Sequence, residues 1–170
     1  MEVLMSDRKI ENIIPYSTDS FQSEKAYLWV WHADKIPPHL GLSTQSRYYS
    51  LKSNGKDQNV CFEKVIQLID RKKIKTLAIE LNCEIELAKV DRVFESYKMN
   101  SIAGTTCLSP IKDILGKSNP SKLQYLLDEL ELGQEIVKYI GFNIDDSFSG
   151  IPYYTEQDIL RRLELLDNDA

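Results

Sequence analysis

The chain of 170 residues contains little of several features that define special classes of protein. Its 7 glycines and 6 prolines are too few for a collagen-like or low-complexity chain. No apolar run approaches the roughly 20 residues that a membrane-spanning helix needs. Residues 1–16 also lack the continuous apolar segment of a signal peptide. We therefore expect a cytoplasmic protein with no membrane span.

Cysteine and positive charge are also scarce. The three cysteines, Cys61, Cys83 and Cys107, are odd in number and widely spaced, so no disulfide framework is expected. The 21 Lys and Arg residues are outnumbered by 26 Asp and Glu residues, which gives a net charge of −5. This balance disfavours contact with nucleic-acid backbones. We expect no nucleic-acid partner and no cofactor.

What is present suits a globular domain, because 42% of the residues are hydrophobic and 28% are charged. Residues 1–22 are polar and aperiodic, which predicts a partly ordered N-terminal arm. Residues 23–170 are predicted to form a single α+β domain. Its core is expected within residues 26–115, and a helical C-terminal extension over residues 120–168.

Residue periodicity predicts the individual elements. Strands are predicted at 26–32, 39–43, 47–52 and 75–81, with a turn at 54–57. Helices are predicted at 60–71, 84–99, 121–132 and from Thr155 onward, with a short helix ending at Leu115. Residues 136–140 fit a helix or a strand. Together these elements predict a small antiparallel sheet packed against helices.

One of the two histidines, His39, stands at the beginning of a predicted strand. Pro37 and Pro38 force an extended approach to it, and Gly41 permits close packing two residues later. The plainer interpretation is a loop histidine that hydrogen-bonds a carbonyl group. The alternative is a general base.

Cys107 precedes the apolar stripe of the predicted short helix and follows two threonines. A helix N-terminus and a neighbouring imidazolium both stabilise a thiolate, which would lower the pKa of Cys107 below its ordinary range and make it a nucleophile. If Ser109 were the cap instead, Cys107 would lie just outside the helix and gain less from its dipole. A buried, unreactive thiol is the competing interpretation.

The run His39-Leu40-Gly41-Leu42 resembles the histidine strand of the NlpC-type, papain-like cysteine hydrolases. In that family a second strand carries a polar residue that orients the histidine, more often His, Asn or Gln; here Ser50 falls within one residue of that position. A cysteine that follows the histidine is typical of the circularly permuted branch, which includes the lecithin:retinol acyltransferase-like enzymes. The resemblance spans residues 27–115. It implies a permuted papain-like fold and cleavage or acyl transfer at an amide, isopeptide or ester bond of a peptide or peptidoglycan-type substrate.

Two other sites compete with this one. Asn82-Cys83-Glu84 echoes the Asn-Cys-Glu of the acyltransferase-like branch, but Glu84 and Glu86 would raise the pKa of a nearby thiol. His32, Asp34 and His39 could hold a zinc ion, yet their spacing follows neither a helical nor a zinc-ribbon pattern.

The sequence therefore predicts a thiol hydrolase in which Cys107 attacks, His39 takes the proton and Ser50 orients the imidazole, without a metal or cofactor. The alternative is a non-catalytic interaction or immunity-type module that uses the same scaffold. In that case the C-terminal helices would be the surface that binds a protein partner.

Overall fold

The structure is a computed structural model and describes residues 7–22, 24–98 and 105–168. Within these residues the chain forms nine strands and five helices. The strands are β1 (Arg8–Lys9), β2 (Ile13–Pro15), β3 (Ala26–Trp31), β4 (His39–Thr44), β5 (Arg47–Lys52), β6 (Gly55–Cys61), β7 (Thr76–Leu81), β8 (Ile136–Phe142) and β9 (Gly150–Ile151). The helices are α1 (Phe62–Lys72), α2 (Leu87–Glu95), α3 (Leu108–Leu115), α4 (Leu123–Leu132) and α5 (Glu156–Asn168).

Seven of the strands form one twisted sheet in the order β2-β8-β7-β3-β4-β5-β6. The pair β2 and β8 is parallel and the other neighbours are antiparallel, while β1 and β9 form a separate antiparallel pair. The predicted α+β class is confirmed. The sheet is larger than the small antiparallel sheet expected from the sequence, and it is mixed.

The two faces of the sheet are covered by different helices, which explains why every residue of β3 is buried. Leu28 and Val30 face the larger core, together with the buried residues of α2, α3 and α4. Tyr27, Trp29 and Trp31 face the smaller core, which includes buried residues of α1. Because successive side chains of a strand point to opposite faces, a continuous apolar run is needed where both faces are dry.

Three segments differ from the sequence-based expectation. The expected helical extension over residues 120–168 contains the strand β8, which pairs with β7 inside the sheet, and both α4 and β8 contribute buried residues to the core outside residues 26–115. Residues 54–57 were expected to form a turn, yet Gly55–Cys61 forms the edge strand β6. An edge strand can be polar on both faces, so β6 lacks the apolar alternation that reveals a strand. Residues 13–15, in the expected arm, instead extend the sheet as β2 by pairing with β8.

None of the helices in the described ranges combines the length and the apolar character required to cross a membrane.

Candidate active site

His39 is the first residue of β4 and lies opposite Trp31 at the end of the sheet. Pro37 and Pro38 come directly before it, and proline has no N–H to donate to a β-ladder, so pairing begins at the histidine. The residue as a whole is half-buried. The charges of Lys52 on β5 and Asp57 on β6 act on its imidazole.

Cys107 is the N-cap residue of α3, the helix that packs against β4. The turn that leads into the helix is held by two hydrogen bonds between backbone N–H groups and side-chain hydroxyls. The Thr106 N–H donates to Ser109 Oγ at 2.9 Å, and the Leu108 N–H donates to Thr106 Oγ1 at 3.2 Å. Cys107 makes no side-chain capping bond of its own. Hydroxyl groups therefore cap the helix, and the thiol is left for other interactions.

His39 and Cys107 line one cleft of about 610 Å³ at the end of the sheet. The cysteine packs against the larger core, and the Trp31 that lies opposite the histidine belongs to the smaller one. The cleft lies where β3 ends and β4 begins, so it receives residues from both sides of the sheet. Its other lining residues are Trp31, His32, Lys35, Ile36, Pro37, Pro38, Lys52, Ser53, Asn54, Thr106, Ile159, Arg162 and Leu163.

The sulfur of Cys107 faces three backbone N–H groups, those of Leu40, Cys107 and Leu108. These dipoles favour the thiolate, as a helix N-terminus does in general. Burial acts in the opposite direction and is the larger effect, so the pKa of Cys107 rises to about 11. The thiol is protonated in the resting protein.

Burial also dominates at His39 and lowers the pKa of its imidazole to about 4. The negative charge of Asp57 opposes this effect, and the positive charge of Lys52 adds to it. His39 is therefore neutral at physiological pH and can accept a proton.

The expectation of a lowered pKa at Cys107 is therefore wrong for the resting protein. Its physical reason, the helix N-terminus beside the sulfur, is present, but desolvation outweighs it. The expected imidazolium is absent too, because His39 is also desolvated. At rest the cleft is thus lined by a neutral thiol and a neutral imidazole.

Ser50, the predicted orienting residue, is buried and lies on β5. Its hydroxyl donates to Asp57 Oδ2 at 3.0 Å, across the pair of β5 and β6. Asp57 also accepts an ion pair from Lys52, with Nζ to Oδ1 at 3.1 Å. The carboxylate whose charge acts on His39 is thus that of Asp57, a residue that was expected to lie in a turn.

The other two cysteines lie away from the cleft. Cys83 is half-buried against the larger core, where burial and the negative charge of Glu135 raise its pKa. Cys61 is the N-cap residue of α1 and is also half-buried. Cys107 is the cysteine that shares the cleft with His39.

No known protein settles the assignment: no family model matches the chain, and no curated protein or solved structure is significantly similar to it. Among the described residues, no group of three or more His, Cys, Asp and Glu side chains is placed to hold a metal ion. The interpretation of the site therefore depends on the geometry of this chain.

Two contributions to the site could not be identified from the sequence. Asp57 lies on a polar edge strand without a periodic signal. Ile159 and Leu163 of α5 close one side of the cleft, and their helical spacing marked them as an apolar stripe without showing what they would cover.

Proposed function

We propose that this protein is a cysteine-dependent hydrolase or acyl-transfer enzyme, with Cys107 as the nucleophile and His39 as the general base. One observation carries the proposal. A thiol at a helix N-terminus and a neutral imidazole line the same cleft, although they lie far apart in the chain. A nucleophile needs a base within reach, and the base must be unprotonated to act.

The reaction would begin when the Cys107 sulfur attacks the carbonyl carbon of an amide, isopeptide or ester. The S–H proton passes to the free ring nitrogen of His39 as the C–S bond forms. The imidazolium then returns that proton to the leaving amine or alcohol as the bond to it breaks. Water or another acceptor attacks the resulting thioester, loses a proton to His39 and releases the thiol of Cys107.

The same backbone that faces the sulfur can stabilise the charge that develops on the substrate oxygen. The N–H groups of Leu40 and Cys107 lie near Sγ, and that of Leu108 is shared with Thr106 Oγ1. Fixed donors of this kind are the usual components of an oxyanion hole. They also explain how a thiol with a raised pKa can react, since they stabilise the anionic state after attack begins.

Asp57 would act as the positioning residue for His39. Its charge opposes the desolvation of the imidazole, and Ser50 and Lys52 hold its two carboxylate oxygens. A carboxylate stabilises an imidazolium better than a hydroxyl does. In this proposal Ser50 therefore acts through Asp57 and not directly on the ring.

The arrangement supports a permuted papain-like fold. The histidine strand β4 is followed by β5 with its polar Ser50, and the cysteine helix α3 comes later and packs against β4. A peptide or peptidoglycan-type bond is the substrate that this likeness suggests. The three free thiols support a reducing compartment, so we propose a cytoplasmic location.

The test uses p-nitrophenyl acetate, whose phenolate release is visible and whose acetyl group stays on the nucleophile. We expect a burst of about one p-nitrophenolate per protein and an acetyl group on Cys107 in peptide mass spectra. Cys107→Ala should abolish both. His39→Gln should slow acylation by about 10²-fold or more, with unchanged circular dichroism as the control for folding.

Matched controls are available within the chain. Cys83→Ser and Cys61→Ser should keep the burst, because neither thiol lines the cleft. An acetyl group on Cys83, or acylation that does not depend on His39, would show that the proposed pair is wrong.

The alternative function is a non-catalytic binding module, and the raised pKa of Cys107 is the observation that favours it. A buried, protonated thiol is what an unreactive structural cysteine presents. In that case none of the three cysteines is acylated faster than a free thiol.

A further inference from the structure

The wall of the cleft is positively charged, although the chain as a whole has a net charge of −5. Lys35 comes from the segment between β3 and β4, Lys52 from the end of β5 and Arg162 from α5. Three separate elements thus bring cations to one opening.

No carboxylate belongs to the described wall of the cleft. Lys52 is partly neutralised, because it forms an ion pair with Asp57 just behind the wall. Neither Lys35 nor Arg162 takes part in an ion pair among the described residues. Lys35 and Arg162 are therefore the cations of this wall that are left available to a ligand, and both are exposed.

The reacting groups add no compensating negative charge. Cys107 and His39 are both neutral at rest, as their burial requires. An anionic group that enters the cleft would exchange part of its water for lysine and guanidinium donors, which pair strongly with carboxylates.

We propose that the cleft selects acyl substrates that carry an anionic group, which Lys35 and Arg162 bind while the carbonyl carbon lies at Cys107. This rests on the proposed function and names its substrate class. The anionic group takes no part in bond making or breaking. It orients the substrate and raises its local concentration at the thiol.

The experiment compares two p-nitrophenyl esters with acyl chains of equal length, p-nitrophenyl hexanoate and the mono-p-nitrophenyl ester of adipic acid. Both release the same phenolate, and they differ in one terminal carboxylate. The measured quantity is the ratio of their acylation rates at Cys107. We expect the adipate ester to react about threefold to tenfold faster at low salt, with the ratio approaching one at high salt.

Variants test whether Lys35 and Arg162 cause the faster reaction of the anionic ester. Lys35→Gln combined with Arg162→Gln should reduce the ratio toward one. The matched control combines Arg71→Gln with Lys72→Gln, which removes the same two positive charges from the exposed end of α1 and should leave the ratio unchanged. Inhibition by free adipate identifies a carboxylate as the preferred group, and stronger inhibition by phenyl phosphate identifies a phosphate.

Each outcome decides one question. If both esters acylate Cys107 and the hexanoate reacts as fast or faster, or if the double variant keeps the ratio, the anionic preference is wrong and the proposed function stands. If neither ester acylates Cys107, the function and the preference fail together.

Discussion

The hydroxyl of Ser50 donates to the carboxylate of Asp57 at 3.0 Å, and this bond joins two neighbouring strands beside His39. Ser50, which was expected to orient His39, thus hydrogen-bonds Asp57, and the charge of Asp57 raises the pKa of His39. Lys52 holds the second carboxylate oxygen at 3.1 Å. Ser50 and Lys52 therefore hold the Asp57 carboxylate in place, as its proposed role in positioning His39 requires.

Asp57→Asn tests this arrangement. The amide keeps the size of the side chain and can still accept from Ser50, but it loses the charge that raises the pKa of His39. We expect acylation to slow by about tenfold and the pKa of His39 to fall further. The chain has two histidines, so proton NMR can follow the His39 ring directly.

Ser50→Ala is the matched comparison, since it leaves the charge in place and removes one hydrogen bond. Its effect on the rate should be clearly smaller than that of Asp57→Asn. An equal loss from both variants, with no movement of the His39 pKa, would mean that Asp57 has only a structural role.

The pH dependence of acylation follows from the neutral pair. Protonated His39 cannot accept the Cys107 proton, so activity is lost as pH falls through the pKa of the imidazole, which burial lowers to about 4. We expect a level rate between about pH 5.5 and pH 8, where an ordinary imidazole would already show a change. The measurement is the burst rate of p-nitrophenyl acetate against pH.

His39→Gln supplies the control for this profile. Without the base, attack needs the thiolate, and the pKa of Cys107 is about 11. The residual rate should then rise about tenfold per pH unit across the neutral range. A wild-type profile that falls below about pH 6.5 would contradict the desolvated state of His39.

The stability of the fold should also depend on His39. In the unfolded chain the imidazole binds a proton below its ordinary pKa of 6.5, whereas in the folded protein it binds one only near 4. The unfolded state therefore binds more protons between these values, and stability falls as pH falls. We expect a loss of up to about 2 kcal/mol between about pH 7 and about pH 5.

Urea unfolding of the wild type and of His39→Gln at the two pH values measures this contribution. The variant should lose less free energy of unfolding than the wild type over the same interval. Equal losses would show that other groups cause the pH dependence.

Gly41 tests how closely β4 is packed beside the site. A Cβ atom at this position would lie 2.2 Å from Tyr48 Oη, whose side chain is fully buried in the smaller core. We expect Gly41→Ala to lower the free energy of unfolding by about 1–3 kcal/mol, because a packed ring cannot give way.

Gly133→Ala is the matched control. Its Cβ would meet Glu135 Oε2 at 2.8 Å, which is the far end of a flexible side chain. We expect Gly133→Ala to change the free energy of unfolding by no more than about 0.5 kcal/mol. Chemical denaturation measures the free energy of unfolding of both variants. Equal losses would contradict the close packing of β4 at Gly41.

Much of the secondary structure can be predicted from the sequence, because it depends on local periodicity. The continuous apolar run of β3, the alternation in β7 and the stripes of α1 and α4 each mark their element. The strands β2 and β6 could not be found in this way. They lie at the sheet edges, where solvent relaxes the demand for apolar side chains.

By itself the sequence determined which groups are available: one histidine at the start of a strand and one cysteine at the start of a helix. The tertiary structure alone decided that both line one cleft, that the charge of Asp57 acts on the histidine and that α5 contributes to the wall of the cleft. It also decided the protonation of the pair. Residue types set an ordinary pKa, but burial and neighbouring charges shift it, and both arise only when distant segments pack together.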